Sequence, residues 1–235
     1  YLDRQRTYTE ELAANGYECG ISGKWHMGDS VHPQKGFTYW HTTGLGGENY
    51  FYPTVLEDGK VVLKEGEYVT DIITDGALRF LDERDREKPF YLSVHYTAPH
   101  SPWSEISHPK EYIDLYRDCP FDSTPNVPAH PWTPYANVTK EEWDSKPHKG
   151  IRFSGAKYAP VKETWQEHRR ESLTGYYAAL TAMDAGIGKL LDKLDAEGLT
   201  DNTLIIFTGD NGMNMGHHGI WGKGNGTYPL NMYDT

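Results

Sequence analysis

The sequence predicts an α/β domain with a mostly parallel sheet packed between helices, and two observations predict it. A strand-like run, Phe90-Tyr91-Leu92-Ser93-Val94-His95, a helix-spaced series from Glu171, and a second apolar run, Thr203-Leu204-Ile205-Ile206-Phe207-Thr208, follow one another along the chain. Strand, long helix, strand is the order of a parallel sheet with crossover helices. Three polar clusters each come directly after a predicted strand, where open α/β sheets bind their ligands. The 235 residues, 37% of them hydrophobic, suffice to bury the core that such a sheet needs.

The elements follow in order. Thr7 with Glu10 makes a capping-box pattern for a short helix that Asn15-Gly16 stops. Tyr17 to Ser22 reads as short and extended, running into Gly23-Lys24-Trp25-His26. Val55 to Leu63 alternates about Asp58-Gly59, a hairpin signature. From Val69 to Glu83 the residues Val69, Ile72, Ile73, Gly76 and Phe80 share one stripe, which predicts a helix. Pro89 ends the polar stretch before the strand at Phe90. Leu173, Tyr176, Tyr177, Leu180, Met183, Ile187, Leu190, Leu191 and Leu194 keep helical spacing until Gly198 closes the helix. Thr203 to Thr208 is then expected as a buried strand.

Between Cys119 and Trp165 the texture changes. Seven of the fourteen prolines lie from Pro120 to Pro160, among Trp132, Tyr135 and Trp143. Proline fixes φ and removes a donor, so residues 119–165 are expected to be irregular, a packed excursion that could act as a lid. Composition narrows the partners. Twenty-three basic against thirty-four acidic residues leave a net charge of −11, which argues against a nucleic-acid partner and an anionic membrane surface. No apolar run approaches the roughly 18 residues of a membrane span. Cys19 and Cys119 make neither a disulfide framework nor a zinc spacing.

The clusters carry the chemistry. In extended backbone Lys24 and His26 share a face with Trp25 opposite. A lysine beside a histidine makes an anion site that can also move protons. Ala98-Pro99-His100-Ser101-Pro102 holds His100 between two prolines, whereas His95, inside its strand, reads as a packed or hydrogen-bonded histidine. Asp210-Asn211-Gly212 offers a carboxylate and an amide oxygen at a strand end, suited to a hard divalent cation. The glycine- and histidine-rich run from Gly216 to Gly224, with His217, His218 and Lys223, follows it. It lacks the spacing of a nucleotide P-loop, and the histidines lack a zinc-protease spacing. Each cluster alone could be an ordinary turn; their coherent placement after strands is the signal.

The pattern Gly16-Tyr17-x-x-Gly20-x-x-Gly23-Lys24-Trp25-His26 resembles a sulfatase signature. The resemblance runs on through Pro33-x-x-Gly36-Phe37, Thr70-Asp71, Ala98-Pro99-His100, Tyr176-Tyr177-Ala178-Ala179 with Asp184, and Phe207-Thr208-Gly209-Asp210-Asn211-Gly212. It ends at Gly216-x-His218-Gly219-x-x-Gly222-Lys223. It implies an alkaline-phosphatase-like fold and hydrolysis of sulfate esters by a formylglycine made from cysteine or serine, with a divalent cation, Ca2+ or in some cases Mg2+. It also implies that Asp210 and Asn211 are metal ligands and that Lys24 and Lys223 bind sulfate oxygens. By the same resemblance His26 assists the nucleophile, His100 contacts sulfate and protonates the leaving oxygen, and His218 lies near the leaving group.

Two parts of the family pattern do not occur in the 235 residues: the pair of acids ahead of the nucleophile, and the Cys/Ser-x-Pro/Ala-x-Arg motif itself. The expectation is therefore an internal piece of a sulfatase domain, incomplete and inactive alone, whose parent meets a formylglycine-generating enzyme; its compartment stays open, with the periplasm or the exterior among the options. Phosphonate monoesterases and phosphodiesterases of the same superfamily are the alternative, and a non-catalytic binder of sulfated glycans is another. Asn49, Tyr50, Phe51 and Tyr52, with the aromatics of the excursion, are candidates for stacking on sugar rings. Asn137-Val138-Thr139 and Asn225-Gly226-Thr227 match the glycosylation sequon.

Overall fold

In the computed structural model, residues 4–44, 49–57, 59–127 and 165–223 are described. Most of the proline-rich excursion and both sequons lie outside them. Thr7 caps helix α1 (Tyr8–Ala14) reciprocally: its Oγ1 accepts the Glu10 N–H, and its own N–H donates to the Glu10 carboxylate at 2.8 Å. Strands β1 (Glu18–Gly23), β2 (Tyr39–Thr42), β3 (Thr54–Glu57) and β4 (Lys60–Leu63) follow, then α2 (Val69–Glu83) and β5 (Phe90–His95). After them come α3 (Lys110–Tyr116), the long α4 (Trp165–Ala196), and the two-residue strands β6 (Asn214–Met215) and β7 (Trp221–Gly222).

The main sheet has the order β2-β1-β5 and is parallel throughout, with Glu18 opposite Phe90 and Gly23 opposite His95. The hairpin β3-β4 pairs Glu57 with Lys60 about Gly59, as the sequence pattern predicts. Side chains of β1 alternate between two layers. Cys19 and Ile21 pack with Phe37, Leu12, Ala13 and Trp40 under α1. On the other face Gly20 lets the Phe80 ring of α2 lie against the strand, since a Cβ there would sit 2.7 Å from it. Ser22, two residues on, donates to the Ile73 carbonyl of α2 at 2.7 Å and bonds His41 Nδ1 at 3.1 Å. Helices thus cover both faces of the sheet.

Helix α4 ends in a Schellman motif. Gly198 takes φ +68°, its N–H donates to Asp195 O, and the Leu199 N–H donates to Leu194 O at 2.9 Å. Beside it the buried Arg84, at the end of α2, pairs with Glu197 at 2.8 Å and fastens the two helices. Both cysteines are free thiols, Cys19 buried and Cys119 half-buried.

One expectation is overturned. Residues 203–208 form no strand among the described residues, and their apolar side chains are open: Leu204 is 86% exposed, Ile206 76% and Phe207 76%. A parallel strand needs a ladder partner, and none of the described strands stands beside this run. A groove separates it from β5, walled by Leu92 and Val94 of the strand and by Leu180, Met183 and Ile187 of α4. The sheet is therefore the parallel α/β sheet that the sequence predicts, and among the described residues it ends at an open edge.

Candidate active site

The first cluster is fixed by a clamp between neighbouring strands. The Lys24 N–H donates to His95 O at 2.8 Å, and His95 Nδ1–H donates back to Lys24 O at 3.0 Å. Gly23 makes the close approach possible. Its φ is +116°, and a Cβ would lie 2.0 Å from His95 O, so no other residue fits without moving the strand. Trp25 packs edge-on against Trp40 at 5.3 Å and Phe37 at 6.1 Å. Lys24 and His26 are left to the groove, as the alternation predicts. His95 is hydrogen-bonded as expected, yet it faces the groove instead of a core.

The second cluster is the turn after β5. The His100 N–H donates to Thr97 O at 2.9 Å, and its ring Nδ1–H donates to Ser101 O at 2.8 Å. That bond selects the tautomer in which Nε2 is the nitrogen available for exchange. The half-buried His100 lies on the groove wall.

The third comes from the far wall. After the 203–208 run, Asp210 and Asn211 stand exposed at the groove, with the Asn211 amide donating to the Asp210 carboxylate. Strands β6 and β7 then form a small antiparallel pair, Met215 opposite Trp221, that carries the chain back to Lys223. Met215 packs with Phe121 and Leu173, anchoring this turn on α4. His218, at φ +54°, is exposed on the turn and is not part of the groove wall.

The structure therefore brings six of the seven expected residues, Lys24, His26, His100, Asp210, Asn211 and Lys223, to one groove. The electrostatics bear on their role. Burial lowers the pKa of the Lys24 ammonium, repulsion from Lys223 adds to the effect, and Asp210 opposes it. Two ammonium groups close enough to repel make a place where an anion is welcome. Asp210 and Asn211 offer hard oxygen donors, the chemistry of a calcium or magnesium site. They supply two of the roughly six to eight ligands that calcium takes. Among the described residues no group of three or more His, Cys, Asp or Glu side chains gathers as a metal cage.

One expected binding residue is not one. Tyr50 is fully buried, so its ring cannot stack on a sugar, and Phe51 packs on Tyr68 at 5.3 Å. Among the described residues no helix is long and apolar enough to cross a membrane.

Comparison with known proteins identifies the family. The sulfatase family profile matches residues 6–233. The chain is 30% identical to an N-acetylglucosamine-6-O-sulfatase of Bacteroides thetaiotaomicron, over 93% of this chain and 46% of that protein. It is 28% identical to an ulvan-active sulfatase of Formosa agariphila, over 94% of this chain and 38% of that protein. The solved structure of BT4656 with its substrate D-glucosamine-2-N,6-O-disulfate superposes with a TM-score of 0.70 at 28% identity, covering 94% of this chain and 52% of that one. The chain spans less than half the length of these curated relatives. Its parallel sheet, the groove beyond it and the matched residues place it in one group: the chain belongs to the sulfatase family.

Proposed function

We propose that the polypeptide containing these residues hydrolyses sulfate esters, with a sulfated carbohydrate as substrate. The observation that supports the reading most is the meeting of Lys24, Lys223 and Asp210, two repelling cations and one carboxylate at one groove. Lys24 and Lys223 would hold the sulfate oxygens and stabilise the charge that grows on them. His100, held through Nδ1, would hand a proton from Nε2 to the leaving alcohol oxygen, and His26 would move a proton at the nucleophile. Asp210 and Asn211 would hold part of a divalent cation's shell, Ca2+ first and Mg2+ second, whose charge polarises the sulfate. The Asn211 amide N–H now donates to the Asp210 carboxylate, and binding there would release that carboxylate oxygen for the cation. His218 would meet only a substrate that extends beyond the groove.

The nucleophile in this reading is a formylglycine elsewhere in the polypeptide, made by a formylglycine-generating enzyme and supplying the oxygen that attacks sulfur. Residues 1–235 would then be part of one catalytic domain, with the proline-rich excursion 119–165 as a lid within it. The open edge of β5 and the exposed 203–208 run support this, because the described residues hold no strands to fill the sheet between them. The carbohydrate preference rests on the relatives, two of which are named for sulfated sugars or polysaccharides.

The test is release of sulfate by the longer polypeptide from 6-O-sulfated N-acetylglucosamine, from an aryl sulfate and, in parallel, of phosphonate from an aryl phosphonate ester. Sulfate release from the sugar, lost on chelation and restored by Ca2+, is expected. A large preference for the phosphonate ester moves the assignment to phosphonate hydrolysis. Tight binding of the sulfated sugar without turnover makes the protein a binder.

A further inference from the structure

The turn that carries His100 has an unusual way of satisfying its backbone. Four consecutive carbonyls accept hydrogen bonds from side chains. Pro99 O takes the Trp103 Nε1–H at 2.8 Å, and His100 O takes the Tyr50 hydroxyl at 2.8 Å. Ser101 O takes the His100 Nδ1–H at 2.8 Å, and Pro102 O takes His108 Nε2–H at 3.0 Å. Two of the four residues are prolines with no N–H of their own, so this turn has little capacity to hold itself by backbone bonds.

The donors are themselves locked. Tyr50 is fully buried, stacked on Tyr68 at 5.5 Å and edge-on to His108 at 4.4 Å. The Tyr68 hydroxyl donates to His108 Nδ1 at 3.0 Å, which fixes the Nε2–H tautomer that Pro102 needs. Tyr50 O in turn accepts the N–H of Val69, the first residue of α2, at 2.8 Å. Trp103 sits against α4 because Gly175 has no Cβ; one would lie 1.9 Å from Trp103 O.

We propose that Tyr50, together with Trp103 and His108, positions His100. These side chains clamp the backbone on either side of the imidazole, so that its Nδ1–H reaches Ser101 O and its Nε2 is held toward the groove. Tyr50 touches no substrate; it acts through His100. The kinetic part of this proposal rests on the sulfate-ester reading, and the geometric part does not.

The test uses the longer polypeptide with Tyr50→Phe, which keeps the stacked ring and withdraws only the hydroxyl. The His100 imidazole signal is followed by NMR in protein labelled on its histidine rings, and is assigned by its disappearance in His100→Gln. In Tyr50→Phe the signal is expected to move and broaden. kcat for the sulfate ester is expected to fall roughly tenfold with KM changed less than about twofold, as misplacement of an aligned catalytic group predicts. The limb of the pH profile that belongs to His100 should move with it. Tyr112→Phe, on a half-buried ring of the same cluster, should leave signal, kcat and pH profile where they are. Trp103→Phe withdraws the donor to Pro99 and should move the same signal, which keeps the test open if Tyr50→Phe fails to fold. An unmoved His100 signal and pH profile in both variants, whatever their melting temperature, would overturn the proposal and leave Tyr50 as packing. Should the wild type hydrolyse no sulfate ester, the NMR comparison decides alone: a moved signal keeps the positioning role and discards the sulfate reading.

Discussion

The two faces of α4 carry similar residues and meet opposite fates. On one, Ala178, Ala179 and Ala182 are buried, Ala179 and Ala182 in a cluster with Tyr50, Tyr68 and Ile73. On the other, Leu180 and Ile187 line a groove, across which Leu204 to Phe207 stand open to solvent. Apolar periodicity says which face of an element wants a partner; it does not say whether the partner is among these residues. The closed side is where single substitutions should act on stability, and the open side is where they should act on association with whatever covers it.

The sharpest break of the closed side is Glu197→Gln. It leaves Arg84, 5% exposed, as a buried cation without its carboxylate, which should cost about 3–5 kcal/mol. Thermal or urea unfolding measures it, and a loss under about 1 kcal/mol would mean that the α2–α4 junction is not sealed. Gly23→Ala comes next. A Cβ would meet His95 O at 2.0 Å in a backbone with φ +116°, so about 2–4 kcal/mol should be lost, together with the seating of Lys24 and hence activity.

Acid is a gentler probe of the same side. Burial pushes His41 and His108 each down to about 4 from an ordinary value of 6.5. Their folded pKa values lie below the unfolded one, so the unfolded chain binds more protons. The stability they contribute is complete above pH 6.5 and is lost as pH falls toward 4, by about 3 kcal/mol each at most. Melting temperatures taken from pH 7.5 to pH 4.5 should fall over that window. A flat profile there would show that both rings are open to water.

The smallest effect is expected on the open side. Ile206→Thr should change the stability of the 235-residue chain by no more than about 0.5 kcal/mol, since the side chain is already 76% exposed. In the longer polypeptide the same change should cost more than about 1 kcal/mol if further strands bury it. Equal effects in both would contradict a covered groove.

Much of the fold is legible in the sequence because local rules agree with the tertiary result. The stripe at Val69, Ile72, Ile73 and Phe80 gives α2 over Val69–Glu83, and the Thr7 box and Gly198 set the ends of their helices. The 203–208 run is misread because a buried-strand pattern depends on a ladder partner, which one segment cannot reveal. At the site, Lys24 and His26 are legible from alternation after a strand. The clamp that fixes Lys24 through His95 is not, because it joins residues 71 apart in the chain. Tyr50 is misread for a similar reason: a tyrosine in a polar loop looks like a ligand-stacking ring until its hydroxyl is found on the His100 carbonyl.

The most direct test of the sulfate-ester site is hydrolysis of 6-O-sulfated N-acetylglucosamine by the longer polypeptide and by its Lys24→Ala and Lys223→Ala variants. Loss of each cation should lower kcat/KM by roughly 10²–10³, the usual cost of removing one group that stabilises developing charge, with the melting temperature nearly unchanged. Turnover that survives both substitutions would contradict the claim that the two lysines, brought to one groove from opposite ends of the chain, hold the sulfate.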